Sequence, residues 1–159
     1  MNKSAFNELL AFFTEYNVFL EKAVQAQNEK IEALLTHDVE IIEKSAAKQQ
    51  AVGMQFAKYE ERRQKLMDAA GVSGATFEQL VDFAQDEEKQ KVRDLYHCMQ
   101  DRINQIKFLN GKAMHLVETN LKVIDMELPV QERRTSRGYS GDGKTHSPKK
   151  GTSLFETKI

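Results

Sequence analysis

Neither of the chain's two prolines falls before position 129 in its 159 residues. Nothing in that long stretch therefore forces a helix to stop or kink. Glycine is scarce at 8, and tryptophan is absent. Few breakers together with abundant Ala, Glu, Lys, Gln and Leu predict long helices, and no alternating strand pattern is present to build a sheet. A single cysteine, Cys98, excludes an internal disulfide and suits a reducing compartment. Set beside His97 in a helical pattern, it reads as an ordinary helix thiol. No long apolar run is available either: Leu9 to Phe13 is far too short to span a bilayer, and Glu8 interrupts any secretory signal. A cytoplasmic, soluble protein without membrane insertion is expected. The net charge of only -1 gives no global field toward nucleic acid.

What is present is helical periodicity. Apolar residues recur at Phe6, Leu9/Leu10, Phe13, Tyr16, Leu20, Ala23/Val24, Ile31 and Leu34, with Ser4 as an N-cap and Gln27 as a polar interruption. The stretch "THDVE" reads as a break, with Asp38 capping a second helix. That helix carries Ala46, Val52, Phe56, Tyr59, Arg63, Leu66 and Met67 and should be the looser one, because "EKSAAKQQAVG" is poorly apolar. Gly71 suits the left-handed position that ends it. Thr76 and Gln79 form a capping box for a short corner helix containing Phe77, Leu80, Val81 and Phe83. The last helix has the longest seam: Val92, Leu95/Tyr96, Met99, Ile103, Ile106, Asn110, Ala113, Leu116/Val117, Asn120/Leu121 and Ile124.

These patterns predict an all-α fold, an antiparallel bundle or coiled coil of long helices with a short connecting helix. The expected helices cover about 4–35, 38–70, 76–84 and 86–127. A rod of some 40 residues, about 60 Å long, is stable only when partner helices cover its seam. The first two helices are the expected antiparallel partners. Asn110 and Asn120 stand at seam positions, where asparagine either sets helix register or faces a bound segment.

From Pro129 onward the character changes. Arg133, Arg134, Arg137, Lys144, Lys149, Lys150 and Lys158 face only Glu132, Asp142 and Glu156, leaving 16 of the 23 basic and 21 of the 24 acidic residues before position 129. An acidic body thus bears a basic tail over 129–159. Its large apolar residues, Val130, Tyr139, Leu154, Phe155 and Ile159, are too few to offset the ordering of that length of chain, so a flexible tail is expected. Within it, "GYSGDGKT" matches the phosphate-loop pattern by letter. A phosphate loop needs a buried strand before it and a helix after it, whereas here "QERRTSR" and "HSPKKGTS" flank it. The histidines His37, His97, His115 and His146 are scattered and form no zinc set. With no convergent acid, base and nucleophile, neither an enzyme nor a cofactor is expected.

The order of these elements resembles that of the FlgN-like flagellar export chaperones. In "NGKAMHLVETNLKVIDMEL", Asn110 and Leu116-Val117 match the family's N-x-x-N-x-x-L-I pattern, with Ala113 in place of the second asparagine. The "THD" break, "GYSGDGK" and "SLFETKI" are similar to further family features. The resemblance implies a chaperone that binds hook–filament junction proteins, prevents their premature assembly and delivers them to the flagellar type III export apparatus. It also implies client contacts from Asn110, Leu116, Val117, Asn120, Leu121 and Ile124, and docking of Tyr139 on the export gate. The pattern leaves one alternative open: a self-associating coiled-coil protein, a homodimer of structural or regulatory role without an export client.

Overall fold

A computed structural model describes residues 3–127, which form four helices and no strand. Helix α1 runs Lys3–Thr36, α2 Val39–Ala69, α3 Phe77–Val81 and α4 Asp86–Glu127. Their ends follow from local chemistry. The Asp38 side chain accepts the backbone N–H of Glu40 at 2.9 Å and of Ile41 at 3.3 Å, so α2 begins capped. At its other end Gly71 takes φ 73°, the Gly71 N–H donates to Asp68 O, and the Val72 N–H donates to Met67 O. That is the left-handed helix stop, closed by the buried Val72. Thr76 and Gln79 form the reciprocal capping box of α3. Asp86, Glu87 and Glu88 place three acids in the first turn of α4, where the helix dipole favours them. Ser4, expected as a cap, lies inside the first turn of α1.

Helix α1 is the central element, with α2 and α4 both packed along it. Tyr16 meets Glu60, and Glu29 meets Lys48, so α1 and α2 run antiparallel. By contrast, Asn17 meets Cys98, Glu21 meets Arg102, and Lys30 meets Asn110, at sequence offsets of 81, 81 and 80. So α4 runs parallel to α1 and finds its main partner there rather than on α2, where the short connections had equally suggested one. Carried to Thr36, this offset sets the end of α1 level with about position 117 of α4. The last ten or so residues of α4, about 15 Å of helix, extend past the α1–α2 turn.

The core is polarised. At one end Phe12, Phe13, Tyr16 and Phe19 of α1 meet Phe56 and Tyr59 of α2, Phe77 of α3 and Tyr96 of α4. Phe13 packs edge-on against Phe77 at 4.4 Å between centroids, and Tyr16 stacks on Tyr59 at 4.8 Å. At the turn end, buried side chains shrink to Ala26, Ile31, Ala33 and Ala113, and the first half of α2 buries nothing. Gly53 sits in that helix with no atom within 4 Å of an added Cβ. Gly53→Ala is therefore expected to raise stability by about 1 kcal/mol in urea denaturation, the helix-propensity gain without a clash.

Arg63, a polar residue on the seam of α2, is buried because its Nε donates to Glu60 at 3.1 Å. Glu60 also accepts from the Tyr16 hydroxyl at 3.2 Å. Burial first, then the Glu60 carboxylate, holds the Tyr16 phenol well above the usual tyrosine range. Tyr59 is raised as well, by desolvation and then by Glu15. The unfolded chain releases these protons near pH 10 while the folded chain retains them, so stability falls with pH above that point. The contribution is fully present below about pH 10 and is lost as pH climbs toward the folded values. The urea midpoint should drop above about pH 10, and Tyr16→Phe should flatten that drop.

Candidate functional site

The turn end of the molecule is apolar on its outside. Its sequence explains why: Leu34-Leu35 and Ile41-Ile42 flank the break, more apolar surface than one hairpin can bury against itself. Leu35, Val39 and Ile41 remain exposed, as do Met114, Val117 and Leu121 on the facing part of α4. Between the three helices lies a cleft of about 290 Å³. Ala33 and Leu34 of α1 line it together with Ile42 and Ala46 of α2 and Ala113, Met114 and Val117 of α4. The small side chains of Ala33, Ala46 and Ala113 leave this space between the helices unfilled.

Three polar groups border this wall. The Lys30 ammonium donates to Asn110 Oδ1 at 2.9 Å, and burial lowers its pKa from the usual lysine value. Ser45 Oγ is buried without a hydrogen-bond partner, and Glu118 lines the opposite end from Lys30. Such a groove offers the chemistry of helix recognition, an apolar trough with a few fixed polar points. Among the described residues no cluster of His, Cys, Asp or Glu could hold a metal ion. No helix among them is long and apolar enough to cross a membrane.

The residues singled out from the sequence fall in different places. Val117 lines the cleft, and Asn110 is exposed and accepts a hydrogen bond from the cleft residue Lys30. Leu116 and Asn120 are half-buried. Leu121 is 57% exposed on the part of α4 that extends past the turn. The side chain of Ile124, the whole of 129–159 with Tyr139, and the "GYSGDGKT" pattern lie outside the described residues. Ala113, standing where the family pattern has asparagine, is buried at 1% exposure, so a small apolar residue suits the close approach there.

Lys30, Ser45 and Met114 belong to the same cleft and were not singled out by periodicity. The available signal was the excess of apolar residues on both sides of the "THD" break.

Comparisons with curated proteins and with solved structures gave no match. The sequence profile of the FlgN protein family does match, over residues 1–147, which takes in all four helices and the cleft between them. This long-helix chain, with its apolar cleft at the turn end, belongs to the FlgN family of flagellar export chaperones.

Proposed function

We propose that the chain binds hook–filament junction proteins in the cytoplasm, laying a helical segment of the client into the turn-end cleft and along the exposed end of α4. The observation that carries this reading is the cleft itself. Its wall is almost wholly apolar, Val117 lies in it, and the exposed Leu121 lies one helical turn beyond. A client helix would cover these groups by anchors spaced i, i+3, i+4 and i+7. Holding such a segment keeps it from assembling prematurely.

In this reading Asn110, Leu116, Asn120 and Ile124 complete the client-facing part of α4. Tyr139 docks the loaded chaperone on the flagellar type III export gate. The family is one of chaperones rather than enzymes, and the proposed role needs no cofactor.

The test is co-expression of the chain with each hook–filament junction protein of its own source, followed by copurification and sedimentation. A low-order complex with at least one of them is expected. Failure of every junction protein to bind would end the proposal. A tight homodimer that excludes clients would instead favour self-association through the same apolar end.

A further inference from the structure

The cleft contains a charge that the chain does not neutralise. Lys30 meets the neutral amide of Asn110, and among the described residues no carboxylate lies within ion-pair distance of its ammonium. Neighbouring ions are treated differently: Glu29 is paired with Lys48, and Glu21 with Arg102. Desolvation is the sole cause of the lowered Lys30 pKa, with no acid to offset it. A half-buried ammonium satisfied only by an amide is under-compensated, and an incoming anion gains from pairing with it. The buried Ser45 hydroxyl, without a partner, adds a second unmet polar point on the α2 side of the same cleft. Glu118 stands at the opposite end, eight residues beyond Asn110 and so about 12 Å farther along α4, where it repels a second acid.

We propose that the segment seated in this cleft is an amphipathic helix carrying a side-chain carboxylate on its apolar face, and that Lys30 selects it by pairing with that carboxylate. The inference rests on the cleft being the client site. Geometry sets the pattern. Lys30 and Asn110 mark one end, and Val117 and Leu121 continue the apolar track away from it. Asn110 and Leu121 lie about 16 Å apart along α4, or three helical turns. The occupant therefore presents its acid about three turns from the apolar residue that covers Leu121. The proposed occupant runs along α4 past Leu121, so its carboxylate belongs to an Asp or Glu side chain.

The probes are synthetic amphipathic helical peptides of about five turns, identical except for Glu, Gln or Lys at the position facing Lys30. Their binding to the full chain is read by fluorescence anisotropy. The wild-type chain should bind the Glu peptide about tenfold more tightly than the Gln peptide. Lys30→Met should erase that preference, and Lys30→Glu should transfer it to the Lys peptide. Circular dichroism checks that both variants keep their helices, and the wild-type comparison of Glu with Gln needs no variant. Equal binding of Glu and Gln peptides, a preference that survives Lys30→Met, or no binding of either peptide overturns the proposal. Junction-protein binding is measured separately. A Lys30-dependent preference without any junction protein bound would sink the client assignment alone, and the reverse result would sink the Lys30 pairing alone.

Discussion

Phe12→Ala is expected to lower the stability of the chain by about 4 kcal/mol, the largest loss of any single truncation considered. The side chain is 1% exposed and touches three other rings, with centroids 5.3 Å from Phe13, 5.8 Å from Tyr16 and 6.1 Å from Tyr59. The Arg62 guanidinium lies 5.2 Å from its centroid on the outer side. Removing the ring leaves a cavity walled by helices that cannot close in, because the stacked tyrosines hold α1 and α2 apart. Urea denaturation gives the measure, with Phe108→Ala as the contrast. Phe108 is 71% exposed, and its loss should move the midpoint little, within about 0.5 kcal/mol. A Phe12→Ala loss below about 1 kcal/mol would mean that the aromatic end is not the packed core described above.

The second large effect is on binding. Aspartate at both 117 and 121 is expected to weaken junction-protein binding by about a hundredfold or more while leaving the fold intact. A client helix that buries these positions would have to bury two carboxylates with them, toward the end of the cleft away from Lys30. The stability of the free protein should hardly change, because Val117 is 40% and Leu121 57% exposed already. Calorimetric titration with the copurifying junction protein reads the affinity, and circular dichroism checks the helices. Val18→Asp supplies the control: Val18 is 51% exposed on α1 and takes no part in the cleft. If Val18→Asp weakened binding as much, the effect would be one of general charge and not of this surface.

Periodicity worked where a helix has one partner and failed where it has two. The α4 seam at Val92, Met99, Ile103 and Ile106 is buried as a single stripe, because α4 leans chiefly on α1. On α1 the stripe Phe6, Leu9, Phe13, Tyr16 and Leu20 is buried, but so are Phe12 and Phe19, which the single-face reading passed over. A helix packed between two neighbours buries a band too wide for one repeat to describe. On α2 the spacing included Ala46, which is exposed, since the first half of that helix has little to pack against.

The choice of neighbour was less legible still. Short connections make the long helices antiparallel in sequence order, which sets α4 parallel to α1, but spacing does not say that α4 packs on α1 rather than on α2. Asn110 occupies a seam position by count but stands exposed, because the facing residue of α1 is a lysine that reaches out to it. For the candidate site, sequence spacing reached the α4 wall. The α1 and α2 walls needed the register, which only the three-dimensional arrangement supplies.

The parallel run of α4 on α1 sets where the rest of the chain departs. Had α4 returned the other way, residues from 128 onward would leave from the aromatic end, a full rod's length from the cleft. Instead they follow Glu127 at the turn end, about 9 Å of helix beyond Leu121. Tyr139 lies twelve positions beyond Glu127. A chain of that length, fully extended, spans about 40 Å at most. In the proposed docking, any surface that Tyr139 met would lie within about 40 Å of the last turn of α4. A segment held in the cleft, as proposed, would therefore sit at the same end of α4 from which Tyr139 is reached.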